Sequence, residues 1–286
     1  MPDLARKRRR GASIVFASGK GGVGKTNVVG NLAVLLAAEG RSVVAVDGDL
    51  GLANLDLLFG LAPSLTVGHF LDGTHSLDDV TIRGPHGVSL VPAASGVAAL
   101  TSLDGEQDTR LHEAILALTR RFDVTLIDGP AGVSSSISQL ARAADRIAVV
   151  TCPEPTALVD AYALVKILHG EDPSRRFGLI VNNAKDAGEG ERVHQQIDRI
   201  AARFLGRRVG YLGHIVRDEL LVAAVQEQRL VTDLYPEARS SRCLEALAAR
   251  VAAELGTVAA THDGAAPSAV LVAPGAARVA GAETIH

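Results

Sequence analysis

Short runs of apolar residues recur along this chain of 286 residues: SIVFA (13–17), SVVAVD (42–47), VSLVP (88–92), DVTLID (123–128), RIAVVT (146–151), FGLIVN (177–182) and GYLGHI (210–215). Most are apolar without alternation, the pattern of strands buried on both faces. Between them lie helix-length segments at 26–39, 106–121, 134–144, 156–168 and 189–205, and two more follow at 217–228 and 239–255. Apolar strands separated by helices predict an α/β fold: a doubly wound, mostly parallel sheet with helices on both faces. No repeat or linker divides 11–256, which reads as one domain. Residues 1–10 form a basic segment ahead of it. From Gly256 onward the chain turns rich in Ala and Gly with few charges, so 257–286 read as a disordered tail.

Composition narrows the function. The formal net charge is −3, so the chain as a whole does not attract polyanions. Basic residues cluster locally at Arg6–Arg10 and Arg207–Arg208, the pattern of solvated surface. With no Trp, three Tyr and six Phe, a stacking platform for single-stranded nucleic acid is not expected. Cys152 and Cys243 make neither a disulfide framework nor a metal site and read as small core side chains. The basic N-terminus is followed by no apolar secretory core, and no run is long enough to span a bilayer, so a reducing cytoplasm is the expected setting.

The stretch FASGKGGVGKTN, just after the first strand, carries the chemistry. Gly19, Gly21 and Gly24 satisfy a dinucleotide fingerprint, with Asp47 ending the next strand. Gly19-x-x-x-x-Gly24-Lys25-Thr26 equally satisfies a phosphate-binding P-loop. Both use glycines to bring backbone N–H groups to a phosphate, and the next helix points its positive end there. Lys25-Thr26 decides between them. Hydride transfer needs neither residue, whereas a nucleoside triphosphatase needs the ammonium for the β- and γ-phosphates and the hydroxyl for Mg²⁺. Carboxylates stand at other strand ends: Asp47 and Asp49 after the second apolar run, and Asp128 after a later one. Asp128 precedes Gly129-Pro130-Ala131-Gly132, read as a flexible turn suited to sensing a γ-phosphate. Asp47 or Asp128 alone could be a helix cap; the set with a P-loop points to Mg²⁺ and water activation. The Asn-Lys-x-Asp of guanine readers is absent from VNNAKDAG, so the base reads as adenine, met by the amide of Asn182.

A P-loop needs no lysine after its first glycine, yet Lys20 is there. KGGVGKT resembles the deviant Walker A loop of the MinD/ParA group of ATPases. That resemblance implies that Lys20 reaches the nucleotide of a partner subunit, with ATP sandwiched in a homodimer. Within the group the chain resembles the FlhG/FleN family of flagellar number and placement regulators over residues 11–250. The likeness rests on SGKGGVGKTNVVGNLA, DGDLGLANLDLLFGL, GPHGVSLVPAASGV, EPTALVDAYALVKIL and YLGHIVRDELLVAAVQEQRLVTDLYP. It implies slow Mg²⁺-dependent ATP hydrolysis with Lys20, Lys25 and Asp49 as the catalytic set, Asp49 orienting the water. Gly19, Gly21, Gly22, Val23, Gly24, Lys25, Thr26 and Asn27 would hold the phosphates, and Asn182 and Arg217 the base end. Thr26, Asp47 and Asp128 would hold Mg²⁺ or its water shell. The partners it implies are a second copy, a FlhF-type GTPase, flagellar C-ring or switch proteins, or a transcriptional activator. The cytoplasm, the inner membrane periphery or a cell pole would be the setting.

The chain departs from the family at several points. Ile215-Val216-Arg217-Asp218 replaces Ile-Pro-x-Asp near the base. Gly129 replaces a Thr after Asp128, and the basic N-terminus is short. Membrane-binding relatives end in a basic amphipathic helix. Here the last helix carries Leu244, Leu247, Val251 and Leu255 with nearly cancelling charges, so packing on the domain is expected. Two rival readings use the same ATPase core: a ParA-type partitioning protein, with Arg207–Arg208 and the basic N-terminus on DNA, and a septum-positioning MinD on a membrane.

Overall fold

The computed structural model describes residues 10–49, 54–93 and 104–262. Its central strand, β1 (Ala12–Ser18), shows why the apolar runs do not alternate. Ile14 and Phe16 face one core and Val15 and Ala17 the other, all nearly inaccessible. A strand covered on both faces favours apolar side chains along its length, and a polar one such as the buried Ser13 needs a partner, here Asp145.

The remaining strands are β2 (Val43–Asp47), β3 (Ile82–Arg83), β4 (Ser89–Val91), β5 (Val124–Ala131), β6 (Arg146–Thr151), β7 (Phe177–Ala184) and β8 (Gly210–Val216). They form an eight-stranded sheet in the order β3-β4-β2-β5-β1-β6-β7-β8. Each neighbouring pair is parallel except β3 with β4 at the edge. One layer contains α1 (Lys25–Ala38), α2 (Leu55–Leu58), α8 (Glu219–Gln226), α9 (Val231–Leu234) and α10 (Arg239–His262). The other contains α3 (Val67–Leu71), α4 (Gly105–Arg121), α5 (Ser135–Ala143), α6 (Pro155–Glu171) and α7 (Ala187–Leu205). This is the expected doubly wound fold. The β1–α1 connection leaves the carboxyl edge in the middle of the sheet, where such folds open a crevice for ligands.

The structure adds β3, α2 and α3, which are too short to show periodicity in the sequence. It also corrects two expectations. Gly129, Pro130 and Ala131 are not a flexible turn but the end of β5, with Ala131 paired to Ser18. Only Gly132 leaves the strand in a left-handed conformation, at φ 82°. Gly129 has a packing reason: a Cβ there would lie 2.7 Å from Ile137 Cδ1 and 2.9 Å from the Phe16 carbonyl oxygen. The second correction concerns the domain end. Helix α10 does not stop at Gly256 but continues to His262, with Val258 buried in the core. Small residues looked featureless there, yet one Val on the inward stripe suffices to continue the helix on its packed face. Leu244, Leu247, Val251 and Leu255 are buried on that face against the sheet and α1. The residues before Arg10, those at 50–53 and 94–103, and the tail after His262 lie outside the described residues.

Candidate functional site

The P-loop leaves β1 at Ser18 and enters α1 at Lys25. Gly22 and Gly24 adopt φ of 77° and 87°, which L side chains rarely tolerate. Gly24 is also the N-cap of α1, its carbonyl accepting the Val28 N–H at 3.1 Å. A Cβ at Gly24 would lie 2.3 Å from Asn182 Nδ2. At the other end, Gly19 lies against the backbone of α6: a Cβ there would be 2.2 Å from the Asp160 carbonyl carbon. The loop is therefore clamped between β7 and α6, and its glycines are required by contact as well as by φ.

A cleft of about 470 Å³ opens over this loop. Gly21 to Asn27 form its floor, Asp49, Asn54 and Ala131 one side, and Leu57, Leu58, Val225 and Gln228 its apolar and far walls. Gly21 to Asn27 and Asp49 thus meet at one place, whereas Gly19 and Lys20 stand outside it. The α1 N-terminus points its unpaired N–H groups and positive dipole end at that floor, a built anion cradle.

Beneath the floor two carboxylates stand side by side. Asp47 ends β2 and Asp128 lies in β5, and the two are register partners. Both are buried, each 1% exposed. Asp128 Oδ1 receives the Lys25 ammonium at 2.9 Å in a buried ion pair. Among the described residues Asp47 is paired with no cation. Its Oδ1 accepts the Asp49 N–H at 3.1 Å, and its Oδ2 accepts those of Asn54 and Leu55 at 3.1 Å each. Burial, followed by the charge of Asp128, pushes the Asp47 carboxyl up to about 7, against the pull of those three N–H groups. Asp47 is thus also an anchor for the chain entering α2, the capping role that a lone carboxylate would suggest.

The two lysines occupy opposite environments. Lys25 is inside, 8% exposed. Lys20 is at the surface, 44% exposed, with its Nζ 2.9 Å from Glu154 Oε2. The Glu154 carboxylate, by hydrogen bond and then by charge, holds the Lys20 ammonium above its ordinary pKa. Lys20 does not line the cleft over its own P-loop. Sequence reading missed Glu154, which precedes Pro155 at the start of α6; nothing in its local pattern shows that β1 and α6 bring it to Lys20.

Asn182 and Arg217 are placed differently from the other candidates. Asn182 turns its amide toward the P-loop, donating from Nδ2 to the Val23 carbonyl at 2.8 Å. Its Oδ1 is buried with no hydrogen-bond partner among the described residues. Arg217, at the end of β8, donates from Nε to Asn183 Oδ1 at 3.1 Å. Neither side chain lines the cleft. Asp218, which keeps the acidic position of the family motif where Val216 departs from its Pro, caps α8 through the Leu220 N–H and holds the Ser240 N–H at the start of α10. The Arg207–Arg208 pair is engaged within the fold: Arg207 donates to the Ser174 and Arg175 carbonyls, and Arg208 pairs with Asp198.

The oxygen donors fit a hard divalent cation. Thr26 supplies a hydroxyl from the first turn of α1, and Asp47 and Asp128 supply carboxyls from adjacent strands. Among the described residues no helix is long and apolar enough to cross a membrane.

Known proteins resemble this chain in sequence and fold. The model of the CobQ/CobB/MinD/ParA nucleotide binding domain matches residues 14–231. The chain is 40% identical to the antiactivator FleN of Pseudomonas aeruginosa, over 83% of this chain and 85% of that protein. It is 30% identical to the flagellum site-determining protein YlxH of Helicobacter pylori, over 85% of this chain and 83% of that one. Among solved structures, the septum site-determining protein MinD of Pyrococcus horikoshii, complexed with Mg-ADP, superposes with a TM-score of 0.73 at 28% identity, covering 87% of this chain and 98% of that one. The P-loop, the register-paired carboxylates Asp47 and Asp128 and the surface lysine therefore sit in a member of the CobQ/CobB/MinD/ParA nucleotide-binding family, in its FleN/FlhG branch.

Proposed function

We propose that the chain is an ATP- and Mg²⁺-dependent ATPase that switches between monomer and homodimer and thereby regulates flagellar number or placement. The observation that carries this reading is the separation of the two lysines. Lys25 is buried at the floor of the cleft, where its ammonium meets the β- and γ-phosphates of the chain's own nucleotide. Lys20 stands at the surface outside that cleft, where a second copy's nucleotide can be reached.

The residues divide the work by position. Amides of the P-loop and the α1 N-terminus bind phosphate oxygens. Thr26, Asp47 and Asp128 would hold Mg²⁺ or its water shell; both carboxyls also carry hydrogen bonds within the protein. Bound Mg²⁺ supplies neutralisation of charge developing on the phosphoryl oxygens. Asp49, in the cleft wall and linked through its N–H to Asp47, orients the attacking water. The hydrolysis is slow in the monomer because the second lysine is absent from it. Asn182 and Arg217 would serve the adenine end: Asn182 would have to turn from Val23, or offer its Oδ1, and Arg217 would flank the base.

Support for the flagellar output comes from the roles of the relatives, an antiactivator and a flagellum site-determining protein. A transcriptional activator, a FlhF-type GTPase or C-ring proteins are the partners this suggests, in the cytoplasm or at a pole. The engagement of Arg207 and Arg208 within the fold counts against their forming a DNA patch.

The test pairs two variants and two readouts. Lys25→Ala should weaken ATP binding by roughly tenfold or more, the loss of one charge-assisted contact. Lys20→Ala should bind ATP with near-parent affinity in dilute solution yet fail to dimerise, by light scattering at high protein concentration with ATP. Normal dimerisation of Lys20→Ala, or a loss of affinity equal to that of Lys25→Ala, would remove the trans-lysine account.

A further inference from the structure

Three neighbouring strands begin on arginines at the edge of the sheet opposite the nucleotide cleft. Arg10 lies just before β1, Arg146 opens β6 and Arg176 lies just before β7. A seven-residue strand such as β1 separates this edge from the P-loop by roughly 20 Å. The three arginines, with Arg142 and Arg175, line a concavity of about 280 Å³ whose lining contains a single carboxylate, Asp145.

A plainer account covers part of this cluster. Helices end at this edge of a parallel sheet, and arginines near their last turns take up exposed carbonyls. Arg175 does so, donating to the carbonyls of Ala144 and Arg142. Its charge is met by Asp172 at 2.8 Å, and that of Arg142 by Asp108 at 2.8 Å. Arg10 reaches Asp145 at 3.2 Å. Asp145 is further occupied by the N–H and hydroxyl of Ser13, at 2.9 and 2.8 Å.

Arg146 and Arg176 are less fully engaged. Arg146 Nη1 donates to the Asp145 carbonyl, but its Nε is buried with no hydrogen-bond partner among the described residues. Its nearest acid, Glu254, is 3.8 Å away. Arg176, one strand over, is exposed, and among the described residues its side chain makes no hydrogen bond or ion pair. Ile147 and Phe177 are register partners, so the residues preceding them are neighbours across β6 and β7. Burial and then the like charge of Arg176 pull Arg146 below the usual guanidinium range. Two adjacent guanidinium groups, one with a buried Nε that makes no hydrogen bond and has only a distant ion pair with Glu254, over a concave surface are matched by an anion with several oxygens.

We propose that this concavity is a second anion site, which binds a phosphate group between Arg146 and Arg176 independently of the nucleotide cleft. Two sources carry that chemistry, a free phosphate compound and a phospholipid headgroup. A concave pocket at one edge suits a compact anion rather than the length of a nucleic-acid duplex.

The full chain is titrated with inorganic phosphate by calorimetry, and sedimented with vesicles of phosphatidylcholine with and without phosphatidylglycerol. Arg176→Gln and Glu254→Gln are run beside the parent. The parent should bind phosphate saturably, and Arg176→Gln should weaken that event roughly tenfold, one charged hydrogen bond, with ATP affinity unchanged. Glu254→Gln should tighten it, since Arg146 loses its distant competitor. Co-sedimentation with anionic vesicles that is lost in Arg176→Gln assigns the site to a headgroup. Phosphate binding without co-sedimentation assigns it to a free compound. The proposal is overturned if phosphate and vesicle binding are both absent, if both variants match the parent, or if the arginines retain a DNA duplex that saturating phosphate does not displace.

Discussion

Asp47 and Asp128 are register partners on β2 and β5, yet among the described residues only Asp128 is paired with a cation; Asp47 is held by three backbone N–H groups and its carboxyl is pushed up to about 7. This asymmetry sets a pH dependence. An ordinary Asp has a value near 3.8, so between there and about 7 the folded chain holds a proton that the unfolded chain lacks. Stability from this group is greatest below that window and is lost as pH rises through about 7, with a slope of at most ~1.4 kcal/mol per pH unit. Asp47→Asn should flatten this part of the profile. It should also lower stability overall, since an amide NH₂ cannot accept from both Asn54 and Leu55. Urea unfolding at several pH values from about 5 to 8 measures both effects; parallel profiles for parent and variant would contradict the assignment.

The Lys25–Asp128 pair predicts that Lys25→Ala damages the empty protein as well as nucleotide binding. Removing one member of a buried pair leaves the other charge uncompensated, which costs about 3–5 kcal/mol. Lys25→Met with Asp128→Leu should recover much of that stability without recovering ATP binding. Chemical denaturation in the absence of nucleotide reads the first effect, and a nucleotide titration the second. A Lys25→Ala protein as stable as the parent would mean that the pair is not formed in solution.

Asn182 holds the P-loop from behind through Val23. Asn182→Asp replaces the donor with a carboxylate facing a carbonyl oxygen, so stability should fall by about 1–3 kcal/mol. ATP affinity should fall with it, because Gly24 and Val23 lose their backing. If affinity drops while unfolding is unchanged, the side chain acts on the nucleotide directly rather than on the loop.

Truncation after Gly256 would remove Val258 from the core. Loss of one buried valine and the last turns of α10 should lower stability by about 1.5–3 kcal/mol. Truncation after His262 keeps that contact and should unfold like the full chain. Equal midpoints for both truncations would show that α10 ends, in effect, at Gly256.

The linear order of residues determined the layers and the loop. Unbroken apolar runs at β1, β5, β6 and β7 required cover on both faces, which only a doubly wound sheet provides. Gly22, Gly24, Lys25 and Thr26 are contiguous, so the cradle is a local structure and local sequence specifies it. The pairing of distant residues was a different matter. Nothing in the sequence around Asp128 indicates that its carboxyl meets Lys25, that Glu154 meets Lys20, or that Asn182 turns to Val23. Those contacts follow from strand order: β1 lies between β5 and β6, and β7 adjoins β6, so residues far apart in the chain surround one loop. The same holds for Gly129, whose sequence context reads as a turn. Only the approach of Ile137 and Phe16 shows that a strand continues there and has no room for a side chain.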